Sequence, residues 1–148
     1  MSLTLYTIGF TQKTAQRFFG LLAEHQINCL VDIRIHPNSQ LSGFAKQNDL
    51  PYFLEHLLHC EYYHDLRLAP TETLLSTYRK ERDWTHYEQH FEQLLDERNI
   101  PGSLDKAWFA ARHGCFLCSE ATPEYCHRRL VTERLQRYWQ DVNIVHIM

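Results

Sequence analysis

Seven residues, Ile27-Asn-Cys-Leu-Val-Asp-Ile33, are apolar at nearly every position. Side chains alternate between the two faces of a strand, so a strand that is apolar at consecutive positions has both faces covered. That is the mark of a parallel sheet packed between helices. The flanking sequence supplies the other parts of such a fold. Leu3 to Ile8 is a β-rich run ended by Gly9, and Thr14 to His25 carries Phe18, Leu21 and Leu22 at helical spacing. Two parallel strands joined by a helix require a right-handed crossover, which brings Gly9, Asp32 and Arg34 out at one edge of the sheet.

Further along, Ile35 to Asn48 is dense in turn formers and reads as a long loop, a candidate lid over that edge. Asp49 is the expected N-cap of a helix reaching about Leu58, and Glu61 to His64 a short edge strand. Thr71 to Lys80 and Trp84 to Arg98 read as helices, the second with Tyr87, Phe91, Leu94 and Leu95 inward and Glu88, Glu92 and Glu97 toward water. A short helical piece at Ser103 to Ala111 precedes a strand at Cys115 to Ser119. A helix from Pro123 to about Gln140 follows, with Thr122 as hydroxyl cap, and Asn143 to Ile147 is the last strand. The expectation is an α/β protein with one domain over residues 1–148. Its mostly parallel sheet has about four strands plus the short edge strand, with helices on both faces in a Rossmann-like three-layer sandwich.

Chemistry concentrates in Cys118-Ser-Glu-Ala-Thr-Pro-Glu-Tyr-Cys126-His127-Arg128, where a strand end meets a helix start. Periodicity puts Leu130, Val131, Leu135 and Tyr138 toward the sheet, and His127 falls on that same face. Cys126, near the helix start and beside Arg128, suits a thiolate. Singly, Cys126 passes for a small buried hydrophobe and His127 for a hydrogen-bonded core residue; with Cys118 and Glu120 they read as a site. Asp32 and Arg34, two apart at the other strand end, read either as a structural ion pair or as an anion clamp with its orienting carboxylate. Cys115, Cys118, Cys126 and His127 are ligand types that zinc accepts. Residues three apart in a strand point to opposite faces, so the four converge only if Gly114-Cys115 turns, and no metal is expected. Cys29 and Cys60 read as core, and the pair His86/His90 lacks the intervening glutamate of a zinc-protease helix.

Composition sets outer limits. A net charge of -3 offers no general polyanion surface, which leaves bulk nucleic-acid binding unsupported. No apolar stretch approaches the roughly 20 residues of a membrane span, and the start lacks a leader, so a soluble cytoplasmic protein is expected. Five cysteines are an odd number, and the thiols are expected to be reduced.

Five short blocks, Tyr6-Thr-Ile-Gly9, Val31-Asp-Ile-Arg34 with Pro37 and Ser39 beyond, Leu117-Cys-Ser-Glu120, Cys126-His-Arg128 and a final His146-Ile, occur in one order. In this the chain resembles the bacterial and archaeal family catalogued as domain of unknown function 488. The resemblance implies that Asp32, Arg34, Cys118, Glu120, Cys126, His127 and Arg128 are the recurrent polar positions, and it assigns no function. It also implies a histidine where Phe10 stands and a basic residue where Gln40 stands. Asp32-Ile-Arg34 looks like a strand end of rhodanese-type sulfur transferases too, but no glycine-bearing cradle follows either cysteine.

The leading expectation is an enzyme acting on a small anionic or nucleotide-related substrate. Asp32, Cys118, Glu120, Cys126 and His127 are its candidate catalytic residues, and Gly9, Arg34, Ser39 and Arg128 its candidate substrate contacts. The alternatives are a non-catalytic ligand-binding or adaptor module, or a zinc-stabilised scaffold.

Overall fold

The computed structural model describes residues 2–37, 43–120 and 122–148; the candidate Ser39, Gln40 and Ala121 lie outside the described residues. Five strands, β1 (Leu3–Gly9), β2 (Cys29–Asp32), β3 (Glu61–His64), β4 (Gly114–Cys118) and β5 (Val142–His146), form one sheet in the order β3-β2-β4-β1-β5. Every neighbouring pair is parallel, and β3 is the short edge strand. The helices are α1 (Ala15–Glu24), α2 (Leu50–Leu58), α3 (Glu72–Glu81), α4 (Trp84–Glu97), α5 (Lys106–Ala110) and α6 (His127–Tyr138). No helix among the described residues is long and apolar enough to cross a membrane.

Strand alternation divides the core into two layers. Leu3, Leu5, Cys29, Val31 and Phe116 face α3 to α6, against Phe91, Leu95, Leu130, Val131 and Leu135. Ile8, Leu30, Cys115 and Leu117 face the other way, against Phe18, Leu22, Leu50 and Leu54 of α1 and α2. Each such side chain contributes about 1.5–3 kcal/mol when fully buried, so both layers hold the sheet. The α/β sandwich with helices on both faces is therefore the fold that the apolar β2 run requires. Cys29 and Cys60 are buried, as their isolation in sequence implies.

Several local expectations give way to packing. Thr122-Pro123 does not start α6; turns occupy 122–126, closed by a bond from Cys126 N to Pro123 O. Cys126 is itself the N-cap, extended at φ -135° and ψ 139° with no side-chain cap bond. That backbone turns its sulfur back toward Cys118. Tyr138, expected inward, is exposed, because it sits in the last turn and lies over Arg134, 5.2 Å from that guanidinium. Glu92, expected in water, pairs with Arg134 and Arg137 of α6 at 3.0 Å each. Asp49 flanks α2 without a side-chain cap bond, whereas Thr14, Thr71 and Asp83 cap α1, α3 and α4 through their side-chain oxygens.

Register brings the strand ends level. Gly9 pairs with Cys118, and Asp32 with Leu117 and His64. From β2 the chain leaves through α2 on one face to β3; from neighbouring β4 it leaves through α6 on the other face to β5. Adjacent strands whose connections diverge in this way open a crevice at their C-terminal ends. Beside it, the turn after β4 closes over the end of β1 so tightly that a Cβ on Gly9 would collide with the Glu120 carbonyl oxygen and lie 2.5 Å from Arg128 Nη1. Gly9→Ala should therefore displace that turn and lower stability by about 1–3 kcal/mol, measured as a shift in urea midpoint.

Candidate functional site

A carboxylate cannot stay ionised in an apolar layer without partners. Asp32, fully buried, has four: the Arg34 backbone N–H at 3.1 Å, Arg34 Nε at 2.8 Å, Arg34 Nη2 at 2.6 Å and the Tyr62 hydroxyl at 2.5 Å. Arg34 Nη2 also donates to Ala45 O at 2.7 Å, which ties in the chain ahead of α2. The Phe10 ring lies 5.3 Å from the guanidinium. An aromatic face thus packs on Arg34 at the position where the family resemblance implies a histidine. The remaining nitrogen, Arg34 Nη1, is buried with no hydrogen-bond partner among the described residues.

Across the crevice, Cys118 ends β4 on the α6 side of the sheet, and α6 starts at His127. His127 is buried, its Nε2 sits 2.8 Å from Ile33 O, and its Nδ1 lies 3.5 Å from Cys118 Sγ. A carbonyl only accepts, so Nε2 carries the ring proton and Nδ1 presents a lone pair to the sulfur. Burial holds the imidazole's pKa down at about 4, with the Ile33 bond opposing and Arg128 adding to the fall. The sulfurs of Cys118 and Cys126 are bonded to one another. The expectation of five reduced thiols rested on cysteine number and compartment, which do not register a pair that the fold brings together. Donor atoms of Cys118, Cys126 and His127 all lie within 4.8 Å of one another, a group able to hold a metal ion. Cys115 is not part of it; it packs on the opposite face of the sheet, and burial pushes its thiol pKa well up. The two-face rule thus separates Cys115 from Cys118, while the extended Cys126 escapes the helical divergence that would have separated it from His127.

These groups wall a cleft of about 380 Å³ at the divergence of β2 and β4. Among the candidates, Arg34, Cys118, Glu120, Cys126 and His127 line it. Asp32 stands behind Arg34 as its carboxylate partner. Gly9 and Arg128 do not line the cleft. Arg128 is fully buried, donates to Glu120 O at 3.0 Å, and has its pKa lowered to about 10 by burial. It holds the β4–α6 turn from beneath.

The opposite wall comes from α3 and the start of α4: Tyr78, Arg79, Arg82, Trp84 and Tyr87, with Tyr125 at the mouth. Trp84 stacks on Tyr87 at 5.1 Å and meets Tyr78 and Tyr125 edge-on, each at 5.6 Å. Sequence reasoning missed this wall. Tyr78-Arg-Lys-Glu-Arg-Asp-Trp84 has the composition of a solvated helix end, and only its alternation of cations with large aromatics hinted otherwise.

A wholly parallel five-stranded sheet between helices, with its cleft at the divergence of two strand connections, defines a Rossmann-like α/β protein. Within that class the chain belongs to the family described as Domain of unknown function DUF488, whose model matches residues 14–135. No curated protein and no solved structure matches it significantly.

Two outcomes follow from the buried charges. Asp32→Ala leaves the Arg34 guanidinium buried without its counter-ion and should cost about 3–5 kcal/mol; Tyr62→Phe removes one neutral donor and should cost about 1 kcal/mol. Urea unfolding measures both. His127 stays neutral in the fold down to about pH 4, whereas in the unfolded chain it protonates near its ordinary 6.5. Between those values the unfolded state binds the extra proton, so stability falls as pH drops through the window, by up to about 3 kcal/mol in chelator-treated protein. His127→Gln, with no proton to take up, should flatten that part of the stability profile.

Proposed function

We propose that the cleft between β2 and β4 binds a small anionic substrate bearing a flat ring, of which a nucleotide is the simplest example, and that the protein is an enzyme acting on it. The observation that carries this reading is the charge of the cleft: beside Arg34, whose charge Asp32 balances, Arg79 and Arg82 stand against one carboxylate, Glu120. Arg79 and Arg82 are exposed and make no ion pair with a carboxylate among the described residues. Converging guanidinium groups recognise phosphate or carboxylate, and the buried Arg34 Nη1 is a donor still to be satisfied. The aromatic wall of Tyr78, Trp84, Tyr87 and Tyr125 suits the flat part of such a ligand.

Size and charge favour a monomeric ligand over a polymer. A cleft of about 380 Å³ is in the range of small-molecule sites, and the overall charge of -3 adds no wider polyanion surface. Glu120, exposed on the wall, is placed to move a proton, and the corner of Cys118, Cys126 and His127 faces the same space. These are reacting groups that a plain adaptor would have no use for, which favours the enzyme over the binding module.

Calorimetric titration with a nucleoside monophosphate and its nucleoside tests the reading. The monophosphate should bind at least tenfold more tightly, and Arg79→Ala with Arg82→Ala should remove most of that difference without moving the urea midpoint, since both side chains are exposed. Equal affinity for both ligands, or none for either, overturns the anion reading. Glu120→Gln should retain binding and lose turnover. Recovery of every bound phosphorylated nucleoside unchanged would instead identify a binding module.

A further inference from the structure

The sulfur–imidazole corner has a chemistry that the anion reading does not use. We propose that, once the Cys118–Cys126 bond is reduced, Cys118 Sγ, Cys126 Sγ and His127 Nδ1 form a three-ligand site for one zinc ion, with its fourth position open to the cleft. The proposal goes beyond the anion reading and does not depend on it.

Three features of the corner converge. All three donor atoms lie within 4.8 Å of one another and all three residues are buried, so the ligand set is gathered before any ion arrives. The imidazole is oriented as a metal-bound histidine is: Nε2 donates to the Ile33 carbonyl at 2.8 Å, which leaves the Nδ1 lone pair directed at Cys118 Sγ. The backbone spacing also fits. The Cα atoms of Cys118 and Cys126 are 7.4 Å apart, more than the roughly 4.4–6.8 Å of most disulfides. Two sulfurs bound at about 2.3 Å to one tetrahedral zinc stand about 3.8 Å apart, so this wider spacing suits them.

Two thiolates and an imidazole are a borderline-soft set that favours zinc over oxygen-seeking magnesium or calcium. The fourth ligand is left to water or to a group of the bound substrate, because Cys118, Cys126 and His127 all line the cleft. Three protein ligands with one open position is the arrangement of catalytic rather than structural zinc.

The chemistry balances with a phosphine as reductant. The phosphine is oxidised to its oxide with oxygen from one water, the S–S bond takes up the two electrons, and the two thiols keep that water's protons. Zinc then forms two Zn–S bonds and displaces both protons to solvent. The disulfide and the zinc complex are therefore alternative states of one pair.

The test uses the full chain without a histidine tag, reduced anaerobically with a phosphine and desalted, beside the oxidised chain. Zinc binding is followed by elemental analysis, and cobalt(II) serves as the optical probe. Reduced protein should hold one ion per chain with a thiolate-to-cobalt charge-transfer band and tetrahedral d–d bands, and oxidised protein should hold none. Cys118→Ser and Cys126→Ser should each weaken binding at least about a hundredfold, and His127→Ala should alter the cobalt spectrum. Cys115→Ser, on the other face of the sheet, should bind as the wild type does. So should His90→Ala, which breaks the surface pair whose rings lie 4.0 Å apart. Equal binding by oxidised and reduced wild type, a comparison that needs no variant to fold, overturns the proposal. So does loss of binding in Cys115→Ser or His90→Ala alone, or a cobalt complex without the sulfur band. Nucleotide titration of the oxidised, zinc-free chain reports on the anion reading separately, so failure of one is not mistaken for failure of the other.

Discussion

A carboxylate with no solvent exposure organises this crevice. Asp32 is tolerable in its apolar layer only while the Arg34 guanidinium, the Arg34 backbone N–H and the Tyr62 hydroxyl surround it. Those partners come from two places. Arg34 follows β2, Tyr62 belongs to β3, and Arg34 in turn reaches Ala45, eleven positions along the chain. Holding one charge thus aligns two strand ends and the chain that follows them. The same interaction positions the guanidinium at the cleft wall with one nitrogen unsatisfied. The side chain that holds the buried carboxylate is therefore also one that lines the cleft.

The second tie crosses from β2 to α6. His127 Nε2 bonds Ile33 O, so the carbonyl just beyond β2 determines which ring nitrogen keeps its proton and which faces the sulfurs. Buried beside Phe91, the ring has little freedom to choose otherwise. Arg128 works from below, holding the Glu120 carbonyl while Gly9 provides the space for that turn to close. Gly9 and Arg128 were reasoned from sequence as substrate contacts at the right edge of the sheet. In the fold they lie beneath the turn that bears the cleft residues.

Legibility in the sequence followed the range of the forces involved. Strand and helix identities rest on local periodicity, and the β2 run and the Phe91–Leu95 stripe are visible without coordinates. Where a distant partner competes with a local signal, the local signal loses. Thr122-Pro123 is a sound helix start in isolation, yet the chain continues in turns until Cys126 can face Cys118. Glu92 has the look of a solvated residue until α6 brings Arg134 and Arg137 to it. Arg79, Arg82 and Trp84 carried only the weak signal of cations alternating with aromatics, because their position opposite Cys118 and Glu120 across the cleft is not encoded within a few residues of them.

By itself, then, the sequence determined a parallel sheet between two helical layers and the sheet edge at which the polar cluster gathers. Side-chain alternation and crossover handedness are properties of the chain as read along its length. Tertiary structure alone decided that β4 inserts between β2 and β1, that Cys118 meets Cys126 and His127, and that α3 and the start of α4 supply the cationic and aromatic wall. Those outcomes depend on contacts that local periodicity does not encode, whose free energy exists only once the two layers have packed.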